Sequence, residues 1–200
     1  MFTIQKDIKK HAREFLTALK NFKYEKTEKG IFFPEAKVVL HGLYTHSVNG
    51  MDTRLDHNLI VDQGINYLLN TGLGNTAAIT AWYLTIFAGG VTPANNWTAA
   101  NFATNSSEIT STTNGFTQTA RQVFSPGSAT ADELDNSASL AAFTIATTTQ
   151  LNVTGAGLLS SSIRGDTSGL LLSATRFTAT RTLNNGDVFN LGYSLAGTSS

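Results

Sequence analysis

Ile4, Ile8, Ala12, Phe15, Leu16, Leu19 and Phe22 recur at helical spacing, drawing one apolar stripe, while Lys6, Lys9, Lys10, Arg13 and Lys20 fall on the opposite face. The pattern predicts a basic amphipathic helix from Thr3 to Phe22. Such a helix can lie on a membrane or dock on protein, and packing on its own domain or a neighbour with solvated lysines explains it most simply. Lys23 to Gly30 is charged and reads as a connector.

The period then changes. Phe32 to Val48 holds alternating stretches such as VVLHGLYTH, which read as strand, with Pro34 at an edge or a turn. Within DHNLIVDQGINYLLNTGLGN a short strand leads into a helix near 62–70, capped by Asp62 and closed by Gly72. It is expected to be the one helix of the main domain. Beyond Ala78, runs rich in Thr, Phe, Ile and Val alternate with Gly, Asn, Ser and Pro clusters, predicting strands near 79–87, 116–124, 140–148, 150–161, 169–180 and 187–195. Asn184-Asn185-Gly186-Asp187 reads as a hairpin turn before the last strand, and 93–107 and 125–139 read as surface loops.

No helical pattern alternates with these strands, so the fold class is mainly β: an antiparallel sandwich or jelly roll of about eight strands. The expected organisation is a helical arm and linker over 1–30 and a β domain over 31–200. Only 14% of residues are charged against 41% apolar, so Thr, Ser, Asn and Gly must supply the polar exterior. Zero net charge removes the field that a nucleic-acid binder needs. The charge is nevertheless uneven: the first fifty residues carry nine basic and five acidic groups, and the remainder five arginines and nine acids. That asymmetry points to a separate partner for the N-terminal part.

With no cysteine, disulfides, thiolate metal sites and a cysteine nucleophile are excluded. The first residues are too charged for a signal core, and no apolar run approaches the roughly 20 residues that span a bilayer. Synthesis in a cytoplasm without membrane insertion is the expectation.

Candidate chemistry is sparse. His41, His46 and His57 lie near Asp52 and Asp56 in sequence, but their spacing matches no metal signature, and His41 and His46 would point to opposite faces of a strand. Gly72-Leu73-Gly74 follows a helix instead of opening one and lacks the lysine of a phosphate loop. No serine sits in a nucleophile elbow. Arg164-Gly165-Asp166 spells an adhesion tripeptide that turn chemistry also explains. Asn96, Asn105 and Asn152 meet the glycosylation pattern, read as chance without a secretory signal. Trp82, Tyr83, Trp97 and Phe102 could stack on sugars or bases, although core packing suits most of them better.

The segments DHNLIVDQGINYLLN, ITAWYLTIFAGG, WTAANF, GFTQTARQVFSPG and SATRFTATRTLNNGDVFNLGYSL together resemble small virion accessory proteins of tailed bacteriophages. Trp82 with Tyr83, Trp97 to Ala100, and Arg181 to Asp187 carry the likeness, over roughly residues 55 to 200. The resemblance implies a capsid cement or decoration protein on the virion surface, without enzymatic activity or cofactor, bound to the major capsid protein and to copies of itself, as a trimer in preference to a dimer. The expected docking residues are Phe2, Ile4, Ile8, Phe15, Leu16, Leu19 and Phe22 with Lys9, Lys10 and Arg13. The alternative is a tail-associated or fibre-anchoring virion protein with a glycan-binding face near Trp97. An enzyme such as a glycan depolymerase would need paired carboxylates about 5 to 9.5 Å apart, and the acids beyond Met51 are scattered.

Overall fold

The computed structural model describes residues 25–27, 30–32 and 38–199. The chain falls into two compact units, Leu40–Gly197 and a second made of Met1–Val39 with Thr198–Ser200. In the second unit β1 (Glu25–Thr27) pairs antiparallel with β2 (Gly30–Phe32). The expected connector over 23–30 thus contains strand. Strands of three residues are too short to show a side-chain period in the sequence. The expected N-terminal helix, with Phe2, Ile4, Ile8, Lys9, Lys10, Arg13, Phe15, Leu16, Leu19 and Phe22, lies outside the described residues.

In chain order the large unit holds β3 (Val38–Val48), β4 (Met51–His57), β5 (Leu59–Ile60), helix α1 (Asp62–Gly72), β6 (Trp82–Phe87) and helix α2 (Ala99–Ser106). There follow β7 (Gly115–Phe116), β8 (Gln122–Phe124), β9 (Glu133–Asp135), β10 (Ala141–Ala146), β11 (Leu151–Leu159), β12 (Leu171–Leu183) and β13 (Val188–Ser199). One sheet runs β4-β3-β13-β10-β7, with β9 also on β13, and the other β5-β12-β11-β6-β8. The two form an antiparallel β-sandwich, as the alternating pattern requires.

Phe143, Phe189, Leu191 and Tyr44 from the first sheet meet Leu84, Ile86, Val153, Leu158 and Phe177 from the second in one buried cluster. On β10 burial alternates along AAFTIA, the period-two signature of a strand with one face in the core. Between the sheets the Tyr44 hydroxyl lies 2.9 Å from Ser173 Oγ.

The outer face of the second sheet is also covered. Phe87, Trp97, Phe102, Leu159, Leu171 and Ala174 form a second cluster beneath α2. Glycine on β11 makes room for it: a Cβ at Gly157 would meet the Phe102 ring at 2.7 Å, and one at Gly155 would meet the Phe87 ring at 2.1 Å and the Thr175 carbonyl at 2.3 Å.

Four sequence expectations change. The segment 93–107 is not all loop, since α2 occupies its end, with Asn101 Oδ1 accepting the Thr98 N–H as one arm of a capping box. FTQTARQVF is not one strand: β7 pairs with β10 in the first sheet and β8 with β6 in the second, so the chain changes sheets between them. The Asn184–Asp187 turn likewise joins β12 and β13 across the sandwich instead of closing a hairpin. The helix near 62–70 is present, but Asp62 is its first residue and Val61 its cap, so Asp62 acts through its charge at the positive end. None of the described helices is long and apolar enough to cross a membrane.

Candidate functional site

Charge is scarce here, so each ionic side chain is informative. Beyond Met51 there are five arginines, and four are engaged within the fold. Arg121, fully buried, holds Glu108 through Nε–Oε1 at 2.7 Å and Nη2–Oε2 at 2.8 Å. Glu108 also accepts Thr85 Oγ1 at 2.7 Å and the Gly165 N–H at 2.9 Å. Arg121 Nη1 donates to the Ser161 carbonyl. This pair therefore anchors the 160–170 loop between β11 and β12.

Arg164 lies 4.3 Å over the Phe116 ring and donates to the Ser111 and Phe116 carbonyls. The Asp166 carboxylate accepts from the Ser161 and Ser168 hydroxyls and the Ser168 N–H, which hold its pKa far below the ordinary carboxylate range. Each member of the Arg-Gly-Asp tripeptide is thus engaged within the fold, Arg164 and Gly165 by the 108–116 segment and Asp166 by its own loop.

The remaining ionic cluster lies where β4 meets β12. His46 is 1% exposed, and its Nε2 sits 2.8 Å from Asp56 Oδ2. Asp56 Oδ1 accepts both the Thr178 N–H and its hydroxyl at 2.6 Å. The imidazole stacks on Phe177 at 4.0 Å and tilts against Phe189 at 5.6 Å. Nearby, Asp52 takes Arg54 Nη2 at 2.8 Å and Arg181 Nη1 at 2.5 Å.

Burial depresses the His46 pKa, and the Asp56 hydrogen bond only partly offsets it. Burial pushes the Asp56 carboxyl up, but the bonds from Thr178 and His46 outweigh this and leave it below its ordinary value. The bonds from Arg54 and Arg181 lower that of Asp52. Of the three histidines that lie near Asp52 and Asp56 in sequence, only His46 joins Asp56; His41 and His57 are exposed.

A different surface offers room for a partner. Residues 189, 191 and 193 of β13 face the core, so Gly192 and Ser194 face outward beside Leu43 and Thr45 of β3. Above them the 133–140 segment is pinned by the buried Asn136, whose Oδ1 accepts the Tyr193 N–H at 2.8 Å. Between lies a groove of about 280 Å³, floored by Gly192, walled by Leu43 and Leu140, and rimmed by Glu133 and Asp135. Leu140 is 41% and the neighbouring Leu55 60% exposed. Ala131 and Asp132, at the tip leading into β9, both have positive φ (50° and 64°), an uncommon conformation for non-glycine residues.

The aromatic residues singled out in the sequence are mostly interior. Trp97 is 3% exposed and meets Phe102 edge to face, so neither ring can serve as a stacking platform, while Trp82 packs on Tyr67. Sequence reasoning missed Glu108, Arg121, Arg181, Gly192 and Leu140. A readable signal for the arginines was their rarity, since isolated charges in a charge-poor chain are often internal partners. Comparison with known protein families and with curated proteins finds no match to this chain.

Proposed function

We propose that this chain is a structural virion protein that binds the outside of a tailed-phage capsid and cements neighbouring major capsid subunits, acting by protein contact and not by bond-making. The supporting observation is the outward groove on β3 and β13, where apolar walls and an acidic rim meet solvent. An apolar floor with a polar rim is the anatomy of a protein interface. A second feature suits contact between copies. Residues 63–107 contain no charged side chain, and within them Leu69 and Leu73 of the α1 region are exposed. Charge-free surfaces can meet their own copies without repulsion or loss of ion hydration. Weak contacts repeated around a shell add through avidity.

Quantifying the protein in purified particles tests this reading. A cement is expected on the order of hundreds of copies per particle, as repeated shell sites require. A handful would instead indicate a tail or fibre-anchoring part, and absence from particles would end both readings. Removing residues 1–22 is expected to weaken capsid association. Unaltered association would dismiss the arm as a docking element.

A further inference from the structure

We propose that His46 and Asp56 form an acid-operated latch, in which a proton taken up on His46 Nδ1 frees the edge strand β4 from β12 while the rest of the sandwich stays folded. The inference is independent of the proposed virion role and rests on the wiring of this seam. β4 is the edge of its sheet, and its side chains hold the opposite sheet at two points: Asp56 on Thr178, and Asp52 on Arg181. The first point depends on His46, because the carboxylate beside Nε2 fixes the single proton of the neutral ring there.

The other ring nitrogen has no partner. Nδ1 is buried without a hydrogen bond, in a site walled by Phe177 of β12 and Phe189 of β13. A second proton would place an N–H with no acceptor in an apolar pocket. The facing charged groups, Arg54 and Asp56 on β4 and Arg181 on β12, supply two cations and one anion, and Asp52 on β4 is committed to both arginines. Two cations already close to the ring oppose another positive charge. The protonated imidazole therefore has its best environment in water, which it reaches when β4 lifts.

The edge strand is suited to such local opening. Its other side chains are all exposed, and Asp52 adopts a positive φ of 50° that interrupts the ladder to β3. β12 departs from regular pairing at the same level, where its register to β11 jumps from Arg176↔Gly155 to Arg181↔Val153. Opening would uncover Tyr44, Phe177 and Phe189, an apolar surface available to a partner only in acid.

Protons bind the open form more tightly than the closed one, so closure is favoured above the ordinary imidazole value of 6.5 and weakens as the pH falls from there toward the depressed value of the closed form. Native-state hydrogen exchange, corrected for intrinsic rates, reads the effect directly. In the wild-type protein the opening constant at the Thr178 amide and along β4 should rise by up to about tenfold per pH unit below that value, with β10 and β11 still protected. In His46→Gln, which can still donate to Asp56 but does not titrate, the opening constant should be flat across the same window.

Equal pH dependence in both proteins would assign the response to another group, and simultaneous opening of β10 and β11 would replace the latch by global unfolding. If His46→Gln does not fold, imidazole nitrogen shifts of the wild-type protein decide. A neutral ring protonated on Nε2, with a midpoint below 6.5, supports the latch; a midpoint at or above 6.5 overturns it.

Discussion

Glu108 is the hinge of the fold's internal electrostatics because it serves three partners separated widely in sequence: Arg121, Thr85 and the backbone of Gly165. None of these pairings could be read along the chain, since each is made by β6, β8 and the 160–170 loop arriving at one place. Replacing Glu108 by Gln leaves the Arg121 charge buried without its counter-ion. The loss expected for breaking such a pair is about 3–5 kcal/mol, measurable as a lowered urea midpoint. A midpoint within error of wild type would mean that water reaches Arg121. Gly155 presents the opposite case, a position where sequence hints at a reason. Glycine inside a strand signals a close approach, and here a Cβ would collide with both the Phe87 ring and the Thr175 carbonyl. Gly155→Ala should destabilise by about 1–3 kcal/mol through overpacking, with a matching drop in melting temperature.

Long alternating segments were legible and short ones were not. β10 to β13 run close to their expected positions because each has a full apolar face to bury. The eight residues of α2 offer too few turns for a helical period, and the preceding Pro93, Asn95 and Asn96 speak for a loop. Its stability comes from elsewhere in the chain. Gln63, near the start of α1, accepts the N–H of Ala99 at 3.0 Å and that of Leu171 at 2.8 Å through the same oxygen. One side chain thereby caps α2 and ties both helices to β12. Gln63→Leu would orphan two amides, each worth about 1–3 kcal/mol when buried, and amide exchange at Ala99 and Leu171 should accelerate together. Gln63→Glu keeps the acceptor and adds a negative charge at a helix N-terminus, so exchange there should remain slow. Acceleration of only one amide would show that the helices are held separately.

The mainly β class followed from patterning, but the layout of charge did not, because composition counts groups without saying which face inward. In the folded domain Arg54, Arg121, Arg164 and Arg181 are occupied by carboxylates, carbonyls or an aromatic ring, whereas Asp132 and Glu133 remain exposed beside the groove. The groove on β3 and β13 is apolar at its centre and acidic at its margin, which suits a partner segment carrying leucine-like anchors flanked by lysine or arginine. The two contributions separate by salt. Leu140→Ala removes buried area on docking, worth about 1–2 kcal/mol and so roughly a tenfold weaker single-site affinity, at any ionic strength. Glu133→Gln should instead weaken capsid association only in low salt, since charges at an exposed rim are screened within about 10 Å at 0.1 M. Glu133 is exposed in the isolated domain, so its replacement should leave the melting temperature unchanged. If Leu140→Ala binds capsids as well as wild type at every salt concentration, the groove is not the contact, and the uncharged surface around Leu69 and Leu73 becomes the face to mutate next.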